Sequence, residues 1–288
     1  MIIIKKKIYI IILILFTIYV LLDTFVLERT YEKVENNITI ENNSKKISTT
    51  SDTYEDDNIS IKLSTYREYD TNIYVADVIL KNTDLLKTYF ANNTYGKNIT
   101  EKTSVMAKNI NAILAINGDY YGVQNTGYVL KNGKIYRNIS SGKEDLVIYK
   151  DGSFKIINED EVSLEELLND GAYNVLSFGP ALINNGNITV NVNDEVDKSM
   201  ASNPRTAIGI IDENHYVFVV SDGRTSESEG LSLYELATFM KKLHVETLYN
   251  LDGGGSSTMY FNGNIINNPT TSGRISERKV SDIVYVGY

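Results

Sequence analysis

The chain is 288 residues long, 42% hydrophobic and 23% charged, with a formal net charge of −9. That balance fits a folded globular chain with a sizeable core, and the acidic surplus argues against nucleic acid as the main partner. There is no cysteine and there are only two histidines, which excludes a disulfide framework and a thiolate metal site and argues against a His-rich zinc centre.

Lys5-Lys6-Lys7 stand before residues 8–22, an apolar run broken only by Thr17, and apolar character resumes to Leu27 after Asp23. About 20 residues of helix span a bilayer core, whereas a signal-peptide apolar region is roughly 7–15. No small-x-small cleavage pattern follows Leu22. Residues 1–27 are therefore expected to form a single-pass membrane anchor with a cytoplasmic N-terminus and the remaining chain outside the cell. The alternative is a signal segment removed on export. Residues 28–57 are rich in Asn, Ser, Thr, Lys and Glu and read as a flexible linker, because few apolar groups offset the entropy of ordering them.

From Asn58 the pattern alternates. Ile59, Ile61 and Leu63 share a strand face, residues 73–80 form a second strand, and Thr103 opens a short helix to Ile110. The buried strand 112–116 runs into Asn117-Gly118-Asp119-Tyr120-Tyr121-Gly122, which taken alone reads as a turn. Asn132-Gly133, Asp151-Gly152 and Asn185-Gly186 mark hairpin turns, and Ser163 caps a short helix. The strand 216–220 ends in Ser221-Asp222-Gly223-Arg224, and Ser232 with Glu235 makes a capping box for a helix to Leu243. An apolar run then ends in Asp252-Gly253-Gly254-Gly255-Ser256-Ser257, and a last strand covers 283–286. Three glycines beside an acid and paired serines exceed what a hairpin turn needs. The expected class is α+β: a mixed, largely antiparallel sheet with few helices, one domain over 58–288.

Six motifs occur in order: Asn117-Gly118-Asp119-Tyr120-Tyr121, Phe178-Gly179-Pro180-Ala181-Leu182, Pro204-Arg205-Thr206-Ala207-Ile208-Gly209, Ser221-Asp222-Gly223-Arg224, Asn250-Leu251-Asp252-Gly253-Gly254-Gly255-Ser256-Ser257 and Glu277-Arg278-Lys279-Val280-Ser281-Asp282. In these the chain resembles the phosphodiester glycosidase domain family, which has many bacterial exported members. The resemblance covers roughly 58–288 and implies hydrolysis of a sugar joined through its anomeric carbon to a phosphodiester. Asp119 departs from the family, standing where many members have glycine, and His244 lies where a glycine is common.

Such a reaction needs cations for phosphate, a carboxyl group for proton or nucleophile work, and amides or hydroxyls for the sugar. Within the family-like motifs, Arg205, Arg224 and Arg278 are the phosphate candidates, since a guanidinium matches phosphate oxygens bidentately. Each alone is equally well read as a surface ion pair. Asp252 and Asp222 are the catalytic candidates, Asp252 first. Gly253, Gly254, Gly255, Ser256 and Ser257 offer amides and hydroxyls, Asn117 and Asn250 orient sugar hydroxyls, and Gly118 and Asp119 complete the expected binding set. No cofactor is expected. Calcium among Asp119, Asp222 and Asp252 is a minor option, because their spacing makes no closed calcium loop. The function expected is an extracellular hydrolase of a sugar-1-phosphodiester in a cell-envelope polymer or capped glycan. The alternatives are a non-catalytic module binding phosphate-bearing wall or capsule polysaccharide, and a glycosyl transferase using the same site.

Overall fold

A computed structural model describes residues 2–25, 31–34, 46–195 and 202–288. Two antiparallel sheets face each other. The larger has nine strands, in the spatial order Asn187–Ile188, Ala181–Asn184, Thr247–Leu251, Thr206–Asp212, His215–Ser221, Thr71–Leu80, Ile59–Glu68, Thr53–Asp56 and Lys46–Thr49. The smaller has five: Asn264–Ile265, Met259–Phe261, Leu114–Asn117, Asp282–Val286 and Leu86–Phe90.

Alternation in these strands divides their side chains between two cores. Tyr216, Phe218 and Val220 point into the space between the sheets, where Leu114, Ile116, Val284 and Val286 meet them. Val217 and Val219 point the other way, onto Leu233, Leu236 and Met240 of the helix Leu233–Lys242. On the outer face of the five-stranded sheet, Ala115 and Ile283 pack against Met106 and Ala107 of the helix Thr103–Asn109. Each fully buried Leu, Ile, Val or Phe contributes roughly 1.5–3 kcal/mol, so the sandwich is a rigid frame. A smaller three-stranded sheet, Phe154–Asn158, Glu144–Tyr149 and Ala172–Leu176, packs on the helix Leu164–Asn169.

Local chemistry ends the elements as the sequence implies. Asn132 and Gly133, like Asn185 and Gly186, both have positive φ, the conformation a two-residue hairpin turn demands. Ser232 accepts from the Glu235 amide and Glu235 returns a bond to the Ser232 backbone, which closes the capping box. His244, in the turn after that helix, has φ +59°; glycine is the residue that takes such a conformation without strain.

Two expectations at the N-terminus change. The helix Ile2–Phe25 forms, but among the described residues no helix is long and apolar enough to cross a membrane. Its lysines at 5–7 leave an apolar run over 8–22 that rises about 22 Å, short of the ~30 Å hydrocarbon core. The expected linker over 28–57 also contains structure. Tyr31–Lys33 pairs with Thr94–Gly96, and the two outermost strands of the large sheet lie in Lys46–Thr49 and Thr53–Asp56. Asp56 fastens that edge, its buried carboxylate accepting from the amides of Asn58 and Ile59 and from the Tyr54 and Tyr288 hydroxyls. These bonds hold its carboxyl below the ordinary carboxylate range against the opposing effect of burial. Residues 26–30 and 35–45 of the expected anchor and linker lie outside the described residues.

Candidate active site

Both sheets present strand ends at one end of the sandwich. Leu114–Asn117 delivers Asn117 and Gly118, Thr247–Leu251 delivers Asp252, and its neighbour Thr206–Asp212 follows directly on Arg205. The Asp252 amide donates to the Gly118 carbonyl at 3.4 Å, tying the sheets together at this point. A cleft of about 170 Å³ opens here, and Asp252, Arg205, Arg224, Arg278, Asn250 and Phe178 are on its walls.

Asp252 is buried, and its carboxylate is held from two sides. The Arg278 guanidinium lies 3.1 and 2.9 Å from its two oxygens, and the Ser256 hydroxyl donates to Oδ2 at 2.6 Å. Arg278 Nε donates to Ser256 Oγ at 2.8 Å, closing a three-residue ring. Burial nonetheless wins: it raises the Asp252 carboxyl above the ordinary range, with Arg278 and Ser256 opposing.

The three arginines differ in what neutralises them. Arg205 is deeply buried, donates to the Leu231 carbonyl, and pairs with Glu195 at 2.7 Å. Burial pulls its guanidinium below the ordinary value, which Glu195 opposes. Arg278 is spent largely on Asp252. Arg224 donates to the Asn203 side-chain oxygen at 3.1 and 2.6 Å and pairs with no carboxylate among the described residues. Gly254 makes room for it: a Cβ there would lie 3.0 Å from the Arg224 Nη2, and Gly254 has φ +60°.

The phosphodiester glycosidase family model matches residues 110–287. The chain belongs to that family. Mouse N-acetylglucosamine-1-phosphodiester alpha-N-acetylglucosaminidase is 36% identical to the chain over 101 residues, 31% of this chain and 19% of that protein. The SPbeta prophage-derived uncharacterized protein YomE of Bacillus subtilis is 29% identical over 203 residues, 67% of this chain and 31% of that protein. The chain thus spans less than a third of the length of these curated relatives. Among solved structures, the zebrafish N-acetylglucosamine-1-phosphodiester alpha-N-acetylglucosaminidase catalytic domain, auto-inhibited by its pro-peptide, has a TM-score of 0.65 at 21% identity, covering 91% of this chain and 89% of that one. A protein of Burkholderia pseudomallei has a TM-score of 0.55 at 12% identity, covering 75% of this chain and 74% of that one. These structural likenesses carry the fold.

Within this member of the family, the motif residues divide between cleft and frame. Asp252, Arg205, Arg224, Arg278, Asn250, Gly253 and Gly254 line the cleft. Asn250 donates from its side-chain amide nitrogen to the Gly179 carbonyl at 2.8 Å, while its buried side-chain oxygen has no partner among the described residues. Asn117 belongs to the frame, which changes the role expected for it. Its Nδ2 donates to the Asp252 carbonyl at 2.6 Å, and its Oδ1 accepts from the Thr206 hydroxyl and the Thr258 amide. It thus has no polar atom left for a sugar hydroxyl. The Gly118 amide donates to the Asp282 carbonyl, and Asp119 is buried against Lys131.

Asp222, the second catalytic candidate, does not line the cleft. It accepts from the Tyr74 hydroxyl at 2.9 Å and from the Asn268 backbone and side chain at 2.7 and 3.3 Å, which makes it an anchor for the segment after Met259–Phe261. In the glycine-rich loop, the amides of Gly254, Ser256 and Ser257 donate to Pro204, Gly253 and Gly254, so they brace the loop instead of facing a ligand. The Gly255 carbonyl accepts from the Arg278 amide, and Ser257 is buried, its hydroxyl without a partner among the described residues. Asp119, Asp222 and Asp252 each have separate partners, and no group of three metal-binding side chains occurs among the described residues.

Sequence reasoning passed over Phe178 and Asn203. Phe178 belongs to the motif Phe178-Gly179-Pro180-Ala181-Leu182, but only the fold brings its backbone amide to the hydroxyl of Tyr249 at 2.9 Å and the residue to the cleft wall. Nothing in the spacing of Asn203 signals that it carries Arg224.

Proposed function

We propose that the chain hydrolyses the glycosidic bond of a sugar-1-phosphodiester, acting outside the cell on a cell-envelope polymer or a capped glycan. The observation that carries this reading is the pairing, in one cleft, of a clamped acid, Asp252, with an arginine, Arg224, that pairs with no acid among the described residues. A module that only bound anionic polymer would gain nothing from the buried carboxylate. The lysine-led apolar segment at residues 5–22 supports export, since it has the layout of a signal segment.

In this mechanism Arg224, whose Nε and Nη2 rest on Asn203 while Nη1 donates to no group among the described residues, receives the phosphate oxygens at its Nη1 end. Phe178 and Asn250, on the walls of the same cleft, border the sugar. The bond between the anomeric carbon and the phosphate oxygen breaks, its electron pair leaving with the phosphate. A phosphate is weakly basic, so departure needs little proton donation. Water adds at the anomeric carbon, and Asp252 takes its proton; burial increases the proton affinity of that carboxyl, as a base requires. Arg278 and Ser256 hold the carboxylate in place throughout.

The test is a panel of sugar-1-phosphodiesters, beginning with a simple alkyl phosphodiester of N-acetylglucosamine 1-phosphate, with and without chelator. The expected products are free sugar and a phosphomonoester, formed at the same rate in both conditions. Tight binding of a phosphate-bearing polymer with no product from any panel member would contradict the reading.

A further inference from the structure

Behind the cleft lies a group of charges that the mechanism above does not use. Lys131, at the end of Val129–Lys131, is 2% exposed and sits between two fully buried side chains, 3.1 Å from Asp119 Oδ2 and 2.8 Å from Asp282 Oδ2. One cation thus faces two acids in a dry site. The acids are not equivalent. Asp119 accepts from the amides of Tyr121 and Ser177 as well as from Lys131. Asp282 has the Lys131 ammonium alone, and no other donor reaches either of its oxygens among the described residues. A carboxylate so placed is the one on which a proton best relieves the excess charge.

The cluster also touches the backbone that carries the cleft. A Cβ on Gly118 would lie 2.4 Å from Asp282 Oδ1, so the Asp282 carboxyl is packed directly against Gly118. Gly118 donates its amide to the Asp282 carbonyl and accepts from the Asp252 amide, while the adjoining Asn117 side chain holds the Asp252 carbonyl. The charged or titratable groups facing Asp282 are Asp119 and Lys131, Asp252 from the cleft side with Arg278 beyond it, and the Tyr121 hydroxyl. Asp145 and Tyr249 face Asp119 from the far side.

We propose that Asp119, Lys131 and Asp282 are positioning residues for the reaction at Asp252: the cluster holds the Asn117–Gly118 strand end under the Asp252 loop, and one exchangeable proton on Asp282 sets the charge behind that carboxyl. The kinetic part of this proposal rests on the function proposed above; the proton itself does not. Burial and the neighbouring Asp119 push the Asp282 carboxyl up to about 7, against the pull of Lys131. The proton is therefore bound in the folded chain at a pH where an unfolded Asp has lost it. Its contribution to stability is complete below the unfolded value of about 3.9 and is lost as pH rises through about 7.

Two measurements test this. In the wild-type chain, without substrate, the backbone amide signal of Gly118 is followed by NMR from about pH 5.5 to 8.5, bracketing the coupled titration. It is expected to shift with a midpoint near 7, and a flat trace would overturn the proposal even if Asp282→Asn failed to fold. With an active phosphodiester, Asp282→Asn is expected to lose the inflection of the kcat profile near neutral pH while keeping the more acidic limb. Even loss of activity at every pH, with the profile unchanged, would mean that the cluster is only a structural brace. If no substrate is found, the Gly118 titration still decides whether the proton exists.

Discussion

Asp252→Asn is expected to reduce kcat by about a thousandfold, the scale of losing a positioned acid or base, while KM changes little. The asparagine keeps the shape of the side chain and an oxygen for the Ser256 hydroxyl, so the loop around it has no reason to rearrange. Arg278 loses its ion pair, but its side chain is 42% exposed and water reaches it. The fold should not suffer either, because the carboxyl it replaces is one that burial has already made unfavourable to ionise. Substrate binding survives because the phosphate is assigned to Arg224, which does not touch Asp252. Steady-state kinetics beside a thermal melt check this. A variant with the wild-type melt and activity within tenfold of wild type would remove Asp252 from the chemistry.

The complementary change is Arg224→Gly, expected to lower kcat/KM about a hundredfold, chiefly through KM. The figure follows from losing a charge-assisted, two-pronged contact worth about 1.5–3 kcal/mol, at about 1.4 kcal/mol per factor of ten. Glycine is the informative replacement because Arg224 has φ +61°. An alanine there would keep the backbone strain and confuse its effect with that of the lost guanidinium, whereas glycine relieves the strain. The Asn203 oxygen loses the two contacts from the guanidinium, a local change at a site that borders the cleft. The same variant should bind inorganic phosphate or a phosphomonoester product more weakly, measured by calorimetry. Unchanged KM would move the phosphate to Arg205 or Arg278.

Much of the frame was legible because it is local. Alternation in residues 73–80 and 216–220 puts apolar groups on both faces, Asn-Gly pairs give the turns, and Ser232 with Glu235 gives the helix start. The polar stretch ending at Asp56 misled because its order comes from elsewhere: Tyr288, 232 positions away, reaches the Asp56 carboxylate. The cleft was legible as a set of motifs but not as a geometry. Asp222 and Asp252 look alike in sequence, each an acid followed by glycine at a strand end. Only the folded chain gives one to Tyr74 and Asn268 and the other to Arg278. Asn117, expected at the sugar, is consumed by three contacts from partners 89 or more positions away. Lys131 looked like the last residue before a hairpin turn. Its two acids come from a different loop and a different sheet.

The roles given to Asp252 and Arg224 turn on which bond breaks. Hydrolysis of a sugar-1-phosphodiester in water enriched in oxygen-18, with both products analysed by mass spectrometry, reads this directly. Attack at the anomeric carbon predicts the label in the hydroxyl of the released sugar and none in the phosphomonoester. Label in the phosphate, with an unlabelled sugar, would mean that the phosphorus–oxygen bond is cut and that the roles given to Asp252 and Arg224 are wrong.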